Sequence, residues 1–183
     1  MSVAILNWSQ AFNASSAVCG GKGWNLARLH HDGFIIPAGG VVSAELYRTV
    51  VTSAAMSTLV AQISALPTEE LLAGENSVLH ALRQTLIESP LPEAFRRELT
   101  TFLEQQQLLY SAVAVRSSAT QEDSASASFA GIHDSCLNIY GQTAIEQAIG
   151  RCFASLWSTR AIVYRRKMEN NGDTRQTQKP KNN

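Results

Sequence analysis

Between Glu75 and Gln107 apolar residues recur twice at helical spacing, with a proline pair between the two runs. Val78, Leu79, Leu82, Leu86 and Ile87 make the first stripe; Phe95, Leu99, Phe102 and Leu103 make the second. The intervening SPLP forbids one continuous helix, because proline lacks an amide donor and suits only a first turn, where Pro92 falls. Two separate amphipathic helices are required. A third helical run starts near Thr143, with Ile145, Ala148, Ile149, Phe153, Leu156 and Trp157 on one face, and the pattern extends through Tyr164. Leu59–Leu72 also reads as helix, and Ser43 is an N-cap for the apolar run Leu46, Tyr47, Val50, Val51.

Strand signals around these helices are short and scattered. They fall near Val3–Leu6, in FIIPAGGVVS, at Val113–Val115 and in SFAGIHDSCLNIYG. Pro37 and the glycine pair make the second an edge or bulged strand. The last alternates Cys136, Asn138 and Tyr140 against Leu137 and Ile139, which gives it two apolar faces. Helices between scattered strand pairs predict an α+β fold on short mixed or antiparallel strands, not a βαβ array.

At 183 residues the chain can bury a real core. Fifteen Lys and Arg balance fifteen Asp and Glu, so no general field recruits nucleic acid or an anionic membrane, and any anion needs a local site. No apolar run approaches the ~20 residues of a membrane span. MSVAILNWSQAF has neither a basic n-region nor a cleavage motif and does not read as a signal peptide. Cys19, Cys136 and Cys152 are odd in number and unpatterned, which suits reduced thiols in a cytoplasm better than disulfides or zinc. Residues 169–183 hold no apolar side chain and are expected as a disordered polar tail behind a domain of residues 1–168.

Two segments carry chemistry. In CGGKGWNLARLHHDGF a glycine turn opens a helix from about Trp24 to His31, stopped at Gly33. Lys22 then stands beside free backbone N–H groups, the logic of a phosphate site, although the Walker spacing is absent. The alternative is a turn that only caps a helix, with Lys22 solvated. The second segment is VAVRSSATQEDSASASFAGIHDS, Val113 to Ser135. Arg116 ends an apolar strand and offers a planar fork for phosphate oxygens. Ser117, Ser118 and Thr120 add hydroxyl donors, Gly131 admits close backbone approach, and Asp134 and Ser135 add a carboxylate and a hydroxyl. Here the alternative is an ion pair of Arg116 with Glu122 or Asp123. Two small-residue segments with one cation each can close around one polyphosphate, which places Lys22 and Arg116 across a single cleft.

GGKGWNLARL, P-x-GG-VVSAELYR, VAVRSSATQEDSASASFAG and ASLWSTRAIVYR stand in the order of the N-terminal ATP-binding region of the phosphoenolpyruvate synthase and pyruvate phosphate dikinase family, which this chain resembles over about residues 5–168. The GGKG spelling near residue 20 is most similar to the rifampicin phosphotransferase branch. The resemblance implies an ATP-grasp-like domain that binds MgATP, feeding a phosphoryl group to a carrier histidine and then to pyruvate or an antibiotic hydroxyl. It implies nucleotide contacts at Lys22, Arg116, Gly131 and Ser135, the last usually a threonine.

Departures from the family pattern matter too. Ile132 and His133 replace the usual glutamines; His133, like His30, His31 and His80, reads as a packed or exposed side chain and not a phosphoryl carrier. Gly40 replaces a phenylalanine, which is expected to loosen its strand. The chain reads as truncated before the magnesium ligands, the carrier domain and the acceptor domain. It is therefore expected to bind ATP without catalytic or metal-binding residues of its own. Alternatives are a subunit of a split phosphotransferase completed by a second chain, a truncated product with no activity, or a non-catalytic interaction module that kept the fold. A bare apolar face at Phe129, Ile132 and Leu137 is expected to drive self-association or to require a second chain.

Overall fold

A computed structural model describes residues 4–74, 76–118 and 135–176. Its elements run β1 (Ile5–Asn7), α1 (Trp8–Ala14), α2 (Ser16–His31), β2 (Gly40–Val42), α3 (Ala44–Val51), α4 (Ala54–Ala65) and α5 (Thr68–Leu72). They continue as α6 (Ser77–Glu88), α7 (Glu93–Gln105), β3 (Val113–Arg116), β4 (Ser135–Ile139), α8 (Gln142–Ser155) and α9 (Thr159–Gln176). The fold is α+β. Helices dominate, and the described strands form two separate antiparallel pairs, β1 with β2 and β3 with β4.

Burial explains the layering. Met56, Ile63, Leu71, Leu79, Leu82 and Leu86 from α4, α5 and α6 pack with Ala154, Trp157 and Ile162 into a core without strand residues. A second cluster joins the α7 stripe Phe95, Leu99 and Leu103 to Ile145 and Ile149 of α8 and Ile5 of β1, with Val113, Val115 and Ile139 against it. It lies between the two strand pairs and ties both to the helices. A third, smaller cluster holds Leu6, Ala11, Cys19, Ala27 and Val41 beneath α1 and α2.

Element ends follow local chemistry. The Asn7 side chain accepts from the Gln10 N–H in a capping box. Asn76 Oδ1 accepts from the N–H groups of Val78 and Leu79 at 3.0 and 3.1 Å. α2 stops as expected at Gly33 in a Schellman turn: the Gly33 N–H donates to the His30 carbonyl at 3.1 Å and the Phe34 N–H to that of Leu29 at 3.0 Å. Ser43 does hold the N-cap position of α3, but its hydroxyl is buried and makes no cap bond.

Several expectations are corrected. The Leu59–Leu72 run is broken, because Leu66 and Pro67 are extended between α4 and α5. Arg166 of α9 covers the break, donating to the carbonyls of Leu66 at 2.7 Å and Ile63 at 3.0 Å and to Thr68 Oγ1 at 3.1 Å. The helix from Thr143 does not continue to Tyr164 either. It ends at Ser155, and α9 restarts with the Ser158 hydroxyl accepting from the Ala161 N–H at 3.2 Å. The backbone of α9 runs to Gln176. Gly40 tightens its strand where loosening was expected: a Cβ there would lie 2.3 Å from the Leu6 carbonyl oxygen and 2.7 Å from the Phe102 ring.

The strict alternation of β4 also fails. Val113 faces Ile139 while Val115 faces Cys136, so β4 carries one extra residue, a bulge at which Asn138 adopts φ 55°. Cys136 and Ile139 are half-buried, whereas Leu137 is 64% exposed. Phe129 and Ile132, expected beside Leu137, lie outside the described residues.

Candidate functional site

α2 is two helical pieces joined at Gly20, whose torsions (φ 68°, ψ 166°) interrupt the helix. The expected glycine turn is therefore present, preceded by a helical turn from Ser16. Gly20 is the N-cap of the second piece, so Gly21, Lys22 and Gly23 form its first turn, where backbone N–H groups lack helical partners. Gly20 has no side chain with which to cap them. Nor could it have one: an added Cβ would stand 2.0 Å from the Ser118 carbonyl oxygen.

That contact brings the two expected segments together across more than ninety residues of sequence. The Gly23 N–H donates to Ser118 Oγ at 3.0 Å. Lys22 Nζ donates to the Ser117 carbonyl at 3.4 Å, which sets the ammonium beside the residue that follows Arg116. Ser118 thus acts as an acceptor toward the glycine turn, where a hydroxyl donor was expected. Ser117 Oγ is buried, with no hydrogen-bond partner among the described residues.

β3 and β4 complete the arrangement. Arg116 lies directly opposite Ser135, so their side chains share one face, and both are exposed. Val113 and Val115 turn to the other face and rest on the middle core, where the Cys152 thiol donates to the Val115 carbonyl at 3.8 Å. Lys22, Arg116 and Ser135 therefore gather at one end of the β3–β4 pair. Gly131 lies outside the described residues, as do Thr120, Asp134 and the alternative ion-pair partners Glu122 and Asp123. Among the described residues Arg116 forms no ion pair.

Other features lie elsewhere. One concavity of about 290 Å³ sits between β1, α1 and α7, and another of about 450 Å³ is lined by Leu109, Tyr110, Tyr140, Gly141 and Gln142. Neither includes Lys22 or Arg116. His30 and His31 are exposed in the last turn of α2, His31 stacking on Phe12, and His80 is exposed on α6. His133 lies outside the described residues. The described residues contain no group of three or more His, Cys, Asp or Glu that could hold a metal ion. Burial pushes the Cys19 thiol above its usual range. It does the same to the Tyr47 phenol, partly offset by Arg165. No described helix is long and apolar enough to cross a membrane.

Residues 16–177 match the family described as pyruvate phosphate dikinase, AMP/ATP-binding domain. The chain is 36% identical over 165 residues to a rifampicin phosphotransferase of Streptomyces sviceus, covering 89% of this chain and 19% of that one. It is 34% identical over 175 residues to a rifampicin phosphotransferase of Bacillus subtilis, covering 94% and 20%. A probable phosphoenolpyruvate synthase of Staphylothermus marinus is 31% identical over 159 residues, covering 80% and 18%. The chain thus spans about a fifth of the length of these relatives. With the match running through both the glycine turn and the β3–β4 pair, the chain belongs to the AMP/ATP-binding domain family of pyruvate phosphate dikinase, an ATP-grasp-like family.

Proposed function

We propose that Lys22, Arg116 and Ser135 bind the phosphates of ATP, with the Gly131 backbone against the nucleotide. The observation that carries this is the junction of the two segments: an ammonium on the Ser117 carbonyl, beside a strand end where Arg116 and Ser135 share an exposed face. The two cations supply charge, the guanidinium supplies a bidentate fork, and the first turn of the second α2 piece supplies oriented N–H groups. The Mg²⁺ that accompanies ATP takes no ligand from the described residues in this reading.

In this reading residues 1–168 are part of the ATP-binding domain of a dikinase-type phosphotransferase, and 169–183 are a polar segment outside its core. The stretch by itself recognises ATP without transferring a phosphoryl group, because transfer depends on acceptor, metal and cations being positioned together. A cytoplasmic setting agrees with cysteines that form no disulfide among the described residues. Calorimetric titration with MgATP tests the proposal. Binding weaker than about 1 μM, abolished by Lys22→Ala, is expected. Heat that is unchanged by Lys22→Ala, or no heat at millimolar MgATP, overturns it.

A second reading, a subunit completed by another chain or by self-association, is supported by the exposed Leu137 on the outer face of β4. Sedimentation over a wide concentration range decides it; a monomer throughout, unaltered by Leu137→Ser, removes it.

A further inference from the structure

The phosphate reading names cations, but it does not say what holds them in register. Lys22 and Arg116 ride on different elements. One sits in the first turn of a helix that packs with α1 and β2; the other ends a strand seated on α8. Two groups that must meet one triphosphate need their relative position fixed, because small displacements of a phosphate ligand sacrifice much of its contribution.

Ser118 is placed to fix it. A helix N-cap normally uses its own side chain to accept from the N–H three residues on. Here the N-cap is Gly20, and the acceptor for the Gly23 N–H comes from Ser118. The Ser118 hydroxyl and carbonyl both lie where a Gly20 side chain would be, at 2.4 and 2.0 Å from its ideal Cβ. Glycine at position 20 makes room for Ser118, and Ser118 supplies the cap that glycine cannot. The pair works as a clasp.

We infer that Ser118 is a positioning residue of the nucleotide site, capping the glycine-turn helix from outside and thereby fixing Lys22 against the Arg116 strand end. The inference rests on the nucleotide reading for its function, but the clasp itself is measurable without nucleotide. Hydrogen exchange of the Gly23 amide reads the clasp in the full chain, and calorimetry with MgATP reads its consequence.

Ser118→Ala is expected to speed Gly23 amide exchange and to weaken MgATP binding about tenfold, or about 1.4 kcal/mol. Ser118→Thr, which keeps the hydroxyl, is expected to restore both. If Ser118→Ala does not fold, Ser118→Thr against Ser118→Val, which match in shape, replaces it with the same two readouts. Unchanged exchange and affinity in the hydroxyl-free variant overturn the inference while leaving the nucleotide reading intact. Faster exchange with no MgATP binding by the wild-type chain upholds the clasp and overturns the nucleotide reading. Affinity lost equally in the Thr variant shows that packing, not the hydroxyl, matters and also overturns the inference.

Discussion

The two strand pairs are both short and both antiparallel, yet they are used in opposite ways. β1 and β2 are sunk into the molecule: Ile5, Leu6 and Val41 are 5%, 9% and 6% exposed. Even the backbone leading into β1 is held, since the Glu98 carboxylate accepts from the N–H groups of Ala4 at 3.0 Å and Ile5 at 2.9 Å. β3 and β4 bury one face only, and that face incompletely. Their outer face presents Arg116 and Ser135, and a bulge at Asn138 turns Leu137 outward as well. A two-stranded ribbon is barely stable alone, so β3–β4 owes its place to α8 and to the clasp with Gly20. The first pair is scaffold and the second is a platform. Substitutions should separate stability from binding along that line.

The largest effect is expected on the scaffold. Ile5→Ala removes a buried side chain from the middle core and should cost about 3 kcal/mol, whereas Leu137→Ala should cost no more than about 0.5 kcal/mol. Urea unfolding of both variants measures the contrast, with similar denaturant slopes showing that the unfolded states match. Equal losses would mean that β4 is buried in solution and is no platform.

Next comes the junction between the two. Gly20→Ala puts a methyl into the Ser118 carbonyl at a residue with φ 68°. Positive-φ strain and overpacking together should cost about 2 kcal/mol and abolish MgATP binding. Thermal unfolding and calorimetry read the two consequences separately. A variant of wild-type stability and affinity would show that the glycine turn and the β3 end are not locked together.

Arg116→Ala tests the platform itself. An exposed strand-end arginine contributes within about 0.5 kcal/mol to stability, but as a phosphate ligand it should be worth about 1.5–3 kcal/mol of binding, tenfold to over a hundredfold in Kd. A variant that loses stability and keeps its affinity would reverse the assigned roles.

Much of the scaffold was legible because it is written locally. Helical stripes, the proline break at Pro92 and the Gly33 stop each depend on a few adjacent residues. Breaks that depend on tertiary partners were not legible. The interruption at Leu66–Pro67 is the exception, since Pro67 is a local break signal and only its closure by Arg166, a hundred residues away, is tertiary; the turn after Ser155 lies inside a continuous apolar pattern. The bulge in β4 was hidden for a similar reason: Asn138 tolerates left-handed torsions, but only pairing with β3 shows that an extra residue is present. The site divides the same way. GGKG and RSS each announce an anion, whereas their meeting is a matter of topology. Ser118 was read as a donor toward ligand because nothing near it in sequence reveals the uncapped turn that it serves. The signal was present in Gly20, since a glycine at an N-cap leaves its first-turn donors to an acceptor from elsewhere.

The smallest effect asks the cysteines to report on the two regions. Cys19 is buried in the scaffold cluster, its thiol donating toward the Ala11 carbonyl at 3.5 Å, and Cys152 is buried beneath β3. Cys136 lies on the platform strand and is half-buried. Thiol reagents attack the thiolate, so Cys19 is protected twice: it is out of reach, and burial holds its thiol protonated to higher pH. Unfolded, that thiol ionises near its ordinary value; folded, it ionises only higher. The difference favours the native state fully below the ordinary thiol range and is lost as pH rises through the raised folded value, by no more than about 1.4 kcal/mol per pH unit. In native protein at neutral pH one thiol, Cys136, should therefore label promptly, and the other two only as fast as the structure opens. Raising the pH past the ordinary thiol range should bring in Cys19, and Cys19→Ala should remove both that labelling and its part of the alkaline loss of stability. Mass analysis of the labelled sites decides it: three thiols reacting at one rate in native protein would show that β1–β2 is as open as β3–β4, and that the division between scaffold and platform does not hold in solution.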